Sequence, residues 1–136
     1  MDFYNQLLAQ KLSGGGGGDS NAAFKALVDK SITEVTADML DGATSIGNYA
    51  FYYCSSLTSI EIPNGVTSIG AEAFGYCSNL TSVTVKATTT PTLGSDVFSG
   101  AHSSLVIYVP AESLEAYKAA SGWSTYADKI QAIPSD

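Results

Sequence analysis

Cys54 and Cys77 have the first claim to chemistry, because each follows a tyrosine in the same local frame, NYAFYYCSS and AEAFGYCSN. A thiolate can be a nucleophile or a metal ligand. Zinc needs four ligands, and two cysteines with the single histidine, His102, do not supply them. His102 sits in SGAHSS beside Ser103 and Ser104. Acyl transfer would also require an orienting acid and an oxyanion site, and neither is recognisable. Gly14–Gly18 runs into Asp19 rather than into the Lys-Ser/Thr of a phosphate loop, so it reads as a linker. Glu34, Asp38, Asp41, Glu61, Glu72 and Asp96 are scattered, and Asp38 with Asp41 matches no EF-hand spacing. The expected catalytic, cofactor-binding and metal residues are therefore none, and the chain reads as a non-enzyme.

What positions the two cysteines is a repeat. Thr44–Val66 and Thr67–Thr89 are identical at twelve of 23 aligned positions, including Thr-Ser-Ile-Gly, Ala-Phe, Tyr-Cys-Ser and Leu-Thr-Ser. A weaker third copy follows at an offset of 47, where Gly94, Phe98, Ile107, Val109 and Pro110 meet Gly47, Phe51, Ile60, Ile62 and Pro63. The extra residue falls in Lys86–Pro91, and Ser31–Val35 reads as the strand of a degenerate leading unit. At the cysteine position the third copy holds Ala101. Small residues at one position per unit predict a core ladder, since a thiol packs as a small hydrophobe. Coils about 4.8 Å apart leave a disulfide within reach, although stacked side chains run parallel rather than toward each other.

Each unit divides by its periodicity. Ile60 and Ile62 alternate with Ser59 and Glu61, the period of two that marks a short strand. NYAFYYC is too short for a full helix and predicts one helical or 3-10 turn, with Ala50, Phe51 and Cys54 facing inward and Gly47 and Gly70 at the preceding bend. A unit this small cannot bury its own apolar face, so the units must stack into a solenoid with covered ends. Residues 22–43 are expected to form an N-terminal helical cap and degenerate repeat, followed by repeats at 44–66, 67–90 and 91–110. Residues 111–136 are expected as a C-terminal helical cap, with Leu114 and Tyr117 on one face, Gly122 as a stop and Ser124 as an N-cap. Residues 1–13 suit a short amphipathic helix on a glycine linker, 14–21.

The pattern TSIGxxAFxxCxxLTSIxIP resembles the leucine-rich repeats of BspA-like (Treponema pallidum-type) proteins over about Ser31 to Pro110. The resemblance implies an α/β solenoid, right-handed, with a small parallel β-sheet along one face and repeats of about 23 residues. It also implies the protein-binding role credited to bacterial surface and secreted members, and it brings no catalytic motif. The start of the chain, a short Phe/Tyr-Leu helix, Lys-Leu and a glycine run, resembles small proteins of prophage structural regions.

Composition excludes several partners. The formal charge is −7, from thirteen acids against six lysines and no arginine. Phosphate neutralisation supplies most nucleic-acid affinity, so a nucleic-acid partner is not expected, nor is attraction to anionic lipid. No apolar run reaches the roughly 20 residues of a membrane span, and MDFYNQLLAQKL lacks the layout of a secretory signal. A cytoplasmic or virion-associated location is expected unless export follows another route. The charged fraction of 14% is low, against a usual quarter, leaving a surface of Ser, Thr, Asn, Gly and Tyr.

Tyrosine, at eight residues, is the informative excess. Tyr53 and Tyr76 recur in register and belong partly to the repeat, whereas Tyr49 and Tyr52 are not demanded by it. Exposed tyrosine among small polar residues suits a binding surface. On the sheet, the outward positions are Ser59, Glu61, Ser82, Thr84, Val106 and Tyr108. The candidate interaction surface is therefore Tyr49, Tyr52, Ser59, Glu61, Ser82, Thr84 and Tyr108. The expected function is a protein- or glycan-binding module for adhesion or recognition at a bacterial surface or phage particle. The alternative is a self-assembling virion or scaffold subunit that forms a homo-oligomer through residues 1–13.

Overall fold

The computed structural model describes residues 33–40 and 42–134. The expected helix at 1–13, the linker at 14–21, the N-terminal helical cap over 22–32 and Asp41 lie outside the described residues. Strands β1 (Glu34–Val35), β3 (Ser59–Ile62), β5 (Ser82–Val85), β7 (Val106–Val109) and β8 (Ile130–Ala132) form one parallel sheet in that order. A second parallel sheet joins β2 (Ser45–Ile46), β4 (Ser68–Ile69) and β6 (Thr92–Leu93). Ser59 pairs with Ser82, which pairs with Val106, so the register advances by 23 and then 24 residues. Ser68 already pairs with Thr92, which confines the extra residue between β5 and β6, in the expected Lys86–Pro91 segment.

The repeated residues have separate jobs between coils. Leu57, Ile60 and Ile62, then Leu80, Val83 and Val85, then Leu105, Ile107 and Val109 are buried as successive layers. Phe51, Phe74 and Phe98 stack with centroids 5.1 and 5.6 Å apart and nearly parallel planes. Three recurring threonines bond their own coil to the one before: the hydroxyls of Thr58, Thr67 and Thr81 donate to the carbonyls of Thr33, Thr44 and Thr58. Gly70 is required by proximity rather than by bending. A Cβ there would collide with Asn48, 2.5 Å from its backbone nitrogen.

NYAFYYC is not a helical turn. Ala50, Tyr52 and Cys54 donate to carbonyls three residues back, at Gly47, Tyr49 and Phe51. The alternate amides of Tyr49, Phe51 and Tyr53 instead donate forward, to Ala71, Ala73 and Gly75 of the next coil. A helix would direct every N–H along its own axis. Here every second one is spent between coils, and the backbone must turn left-handed to alternate. Tyr49 and Tyr53 accordingly have φ of 61° and 60°, Glu72 and Tyr76 51° and 58°, and Asp96 and Gly100 55° and 78°.

The C-terminal segment is more than helical. A 3-10 turn at Ala111–Ser113 leads into helix α1 (Leu114–Ala119), whose Tyr117 is buried. A further 3-10 segment spans Trp123–Lys129 and has Gly122, φ 83°, at its cap position. Ser124, expected as an N-cap, lies inside it and donates its N–H to Ala120. Strand β8 then adds to β7, with Ile107 opposite Ile130, and so covers the last strand edge of the repeats. Three side chains of this segment hold the Lys86–Pro91 insertion. Ser113 Oγ donates to Thr88 O at 2.6 Å, Tyr117 Oη to Ala87 O at 2.6 Å, and Trp123 Nε1 to Pro91 O at 2.8 Å.

Candidate interaction surface

The alternating turns of consecutive coils lie in register and present their left-handed positions as two rows. Tyr49, Glu72 and Asp96 occupy one row, and Tyr53, Tyr76 and Gly100 the other. A side chain on a left-handed residue costs about 1–2 kcal/mol relative to the ordinary helical region. Gly100 removes that cost in the third coil, so the backbone itself asks for no side chain there.

Four tyrosine rings gather on this face. Tyr53 and Tyr76 stack at 5.0 Å with planes 16° apart. Tyr52 meets Tyr53 edge-on at 4.6 Å, Tyr49 at 5.0 Å and Tyr76 at 5.8 Å. Tyr49, Tyr53 and Tyr76 are exposed by 41, 52 and 42%, the large apolar side chains most open to solvent among the described residues. The Tyr49 hydroxyl donates to Glu72 Oε2 at 3.3 Å. Two glycines make room for the rings. A Cβ on Gly75 would lie 2.9 Å from Tyr52 Cδ1, and one on Gly100 2.5 Å from Tyr76 Cδ1. Desolvation among these neighbours raises the Tyr52 phenol above its ordinary value, and Tyr53 and Glu72 add to the shift.

The proposed surface residues therefore divide. Tyr49 and Tyr52 come together with Tyr53 and Tyr76, which their recurrence had assigned to the repeat. Ser59, Glu61, Ser82, Thr84, Val106 and Tyr108 stand on the five-stranded sheet, half-buried and alternating with the core. Glu61 has a local task, accepting the Ala37 N–H at 3.1 Å. The offset of 47 did carry a signal for the missed pair, because it aligns Tyr53 with Gly100.

The other candidates resolve locally. Cys54 and Cys77 are buried thiols, and Cys77 Sγ donates to Phe51 O at 3.0 Å. His102 is exposed, and its Nδ1 accepts the Ser104 N–H at 3.0 Å. No group of three or more His, Cys, Asp or Glu is arranged to hold a metal among the described residues. Among the same residues no helix is long and apolar enough to cross a membrane.

Residues 21–121 match the family model described as BspA type leucine rich repeat region (6 copies). The chain belongs to the BspA-type leucine-rich-repeat family. Its parallel strands in two sheets are those of a solenoid-like BspA-type repeat, and such repeats are generally non-enzymatic and suggest a protein-interaction module. A search of curated proteins returns no match. In BspA-type terms the tyrosine cluster sits on the turn segments of the coils, away from the β-strands.

Proposed function

We propose that the chain is a non-enzymatic binding module that meets a protein partner through its turn face, with Tyr49, Tyr52, Tyr53 and Tyr76 at the centre. One observation carries the reading. Tyr53 and Tyr76 are kept at left-handed positions where the third coil closes with Gly100, so these rings answer to something other than closure of the coil. Tyrosine supplies large contact area at low entropic cost, and a stacked scaffold keeps the rings ordered before binding, which lowers the ordering cost of association.

A protein is favoured over a glycan because BspA-type repeats suggest a protein-interaction module. On this reading the coiling is right-handed, as parallel crossovers nearly always are, and the setting is adhesion or recognition at a bacterial surface or phage particle. The sheet positions Ser59, Glu61, Ser82, Thr84 and Tyr108 form a second, less aromatic strip that the same experiment compares.

The test is a binding screen of the full chain on immobilised matrix proteins and glycans. Tyr53→Asn with Tyr76→Asn should weaken protein binding at least about tenfold, the effect of losing an interface anchor. Loss of binding with Glu61→Ala and Thr84→Ala, but not with the tyrosine changes, would move the site to the sheet and overturn the turn-face reading.

A further inference from the structure

Among the described residues, the charges along the tyrosine face are of one sign. From Ser31 to Val85 the sequence holds five acids, Glu34, Asp38, Asp41, Glu61 and Glu72, and neither lysine, arginine nor histidine. The lysines among the described residues, Lys86, Lys118 and Lys129, belong to the insertion and the C-terminal segment. On the turn face the row that starts at Tyr49 continues as Glu72 and the exposed Asp96. Glu72 therefore shares a coil with Tyr76 and accepts the Tyr49 hydroxyl, Asp96 shares the next coil with Gly100, and Tyr52 touches Tyr49, Tyr53 and Tyr76.

We propose that this face binds an arginine-bearing segment of a partner protein, its guanidinium groups seated on the tyrosine cluster with Glu72 and Asp96 as their carboxylate partners. The proposal rests on the turn-face reading above and names the partner's chemistry. A guanidinium can lie against tyrosine while its N–H fork engages a carboxylate, and Glu72, bonded by the Tyr49 hydroxyl, sets a carboxylate beside the cluster. Lysine would use the charge but not the planar fork. The chain contains no arginine, and a second copy would bring another −7, so charge complementarity points to a different protein.

The probe is a synthetic peptide of alternating glycine and arginine, titrated into the full chain at low and at physiological salt. The control replaces arginine with neutral citrulline. The arginine peptide should bind and weaken with added salt, and the citrulline peptide should bind at least about tenfold less tightly. Glu72→Gln with Asp96→Asn should cost about fivefold or more, and Tyr53→Asn with Tyr76→Asn at least as much. Asparagine tolerates a left-handed backbone, and an unchanged thermal midpoint would show that the fold is kept.

Equal binding of the two peptides, or binding indifferent to all four substitutions, overturns the proposal. Peptide binding that emerges only after Lys11, Lys25 and Lys30 are changed to Gln would assign the face to the chain's own segment and also overturn it. If the arginine peptide fails while screened proteins still depend on Tyr53 and Tyr76, this inference falls and the turn-face function stands. If screened proteins ignore those tyrosines, the function itself falls.

Discussion

The backbone N–H of Phe98 donates to the phenol oxygen of Tyr126, 3.4 Å away, where the equivalent amides of Phe51 and Phe74 find carbonyls of the next coil. Among the described residues no further coil stacks on that of Phe98, and Tyr126 replaces two things at once. Its oxygen takes the place of the carbonyl, and its ring closes the phenylalanine stack edge-on at 5.2 Å. Burial raises its phenol above the ordinary value, only partly offset by the bond from Phe98.

Tyr126→Phe should therefore cost about 0.5–1.5 kcal/mol, the usual net contribution of one hydrogen bond. The edge-on ring contact would survive. Chemical denaturation of the two proteins measures this, and a difference below a few tenths of a kcal/mol would mean that water replaces the phenol.

The left-handed rows give two substitutions of opposite sign in one coil. Asp96→Gly should stabilise by about 0.5–1 kcal/mol by relieving a side chain at φ 55°. Gly100→Ala should destabilise by about 1–3 kcal/mol, because it adds strain at φ 78° and drives a Cβ onto Tyr76. Thermal midpoints that move in the same direction would count against the assigned backbone.

Tyr117 should set an alkaline limit. Desolvation pushes its phenol from 10.0 up to about 12 in the folded chain. The folded pKa is the higher one, so the contribution is complete below pH 10, where the unfolded phenol is still neutral. It is lost as pH rises through that window toward about 12, because only the unfolded phenol ionises readily there. Tyr117→Phe should flatten the fall over that range while lowering stability at neutral pH, since Ala87 O loses its donor. Denaturation at a series of alkaline pH values checks both.

Both cysteines should resist a thiol reagent in the folded protein and react together after unfolding without reductant, because both are buried thiols. Rapid labelling of the native chain, or fewer than two thiols after unfolding, would contradict the packing role.

The period was readable because each coil repeats its demands in kind. Thr67 must reach Thr44, Thr81 must reach Thr58, and Leu80 must cover Leu57, so the same residues recur. The turn ladder was hidden, since Ala50, Phe51 and Cys54 face inward from a helical turn and from alternating turns alike. Left-handed tyrosines violate local preference, and Gly100 alone hinted at them. Strand β8 escaped because Ile130–Ala132 is short and gains its identity from β7, far away in sequence. At the candidate surface, Tyr49 and Tyr52 were visible by departing from the repeat. Tyr53 and Tyr76 were masked by obeying it.

The bonds from Ser113, Tyr117 and Trp123 to the Lys86–Pro91 insertion fix where such an array can lengthen. The third coil is fastened to its terminus through that insertion, so new coils are best admitted upstream of it. Duplicating Thr44–Val66 would insert one pitch, about 4.8 Å, and carry a further copy of Tyr49, Tyr52 and Tyr53 onto the turn face. Growth at that point would widen the aromatic face while leaving the terminus untouched, and reach could be adjusted one coil at a time.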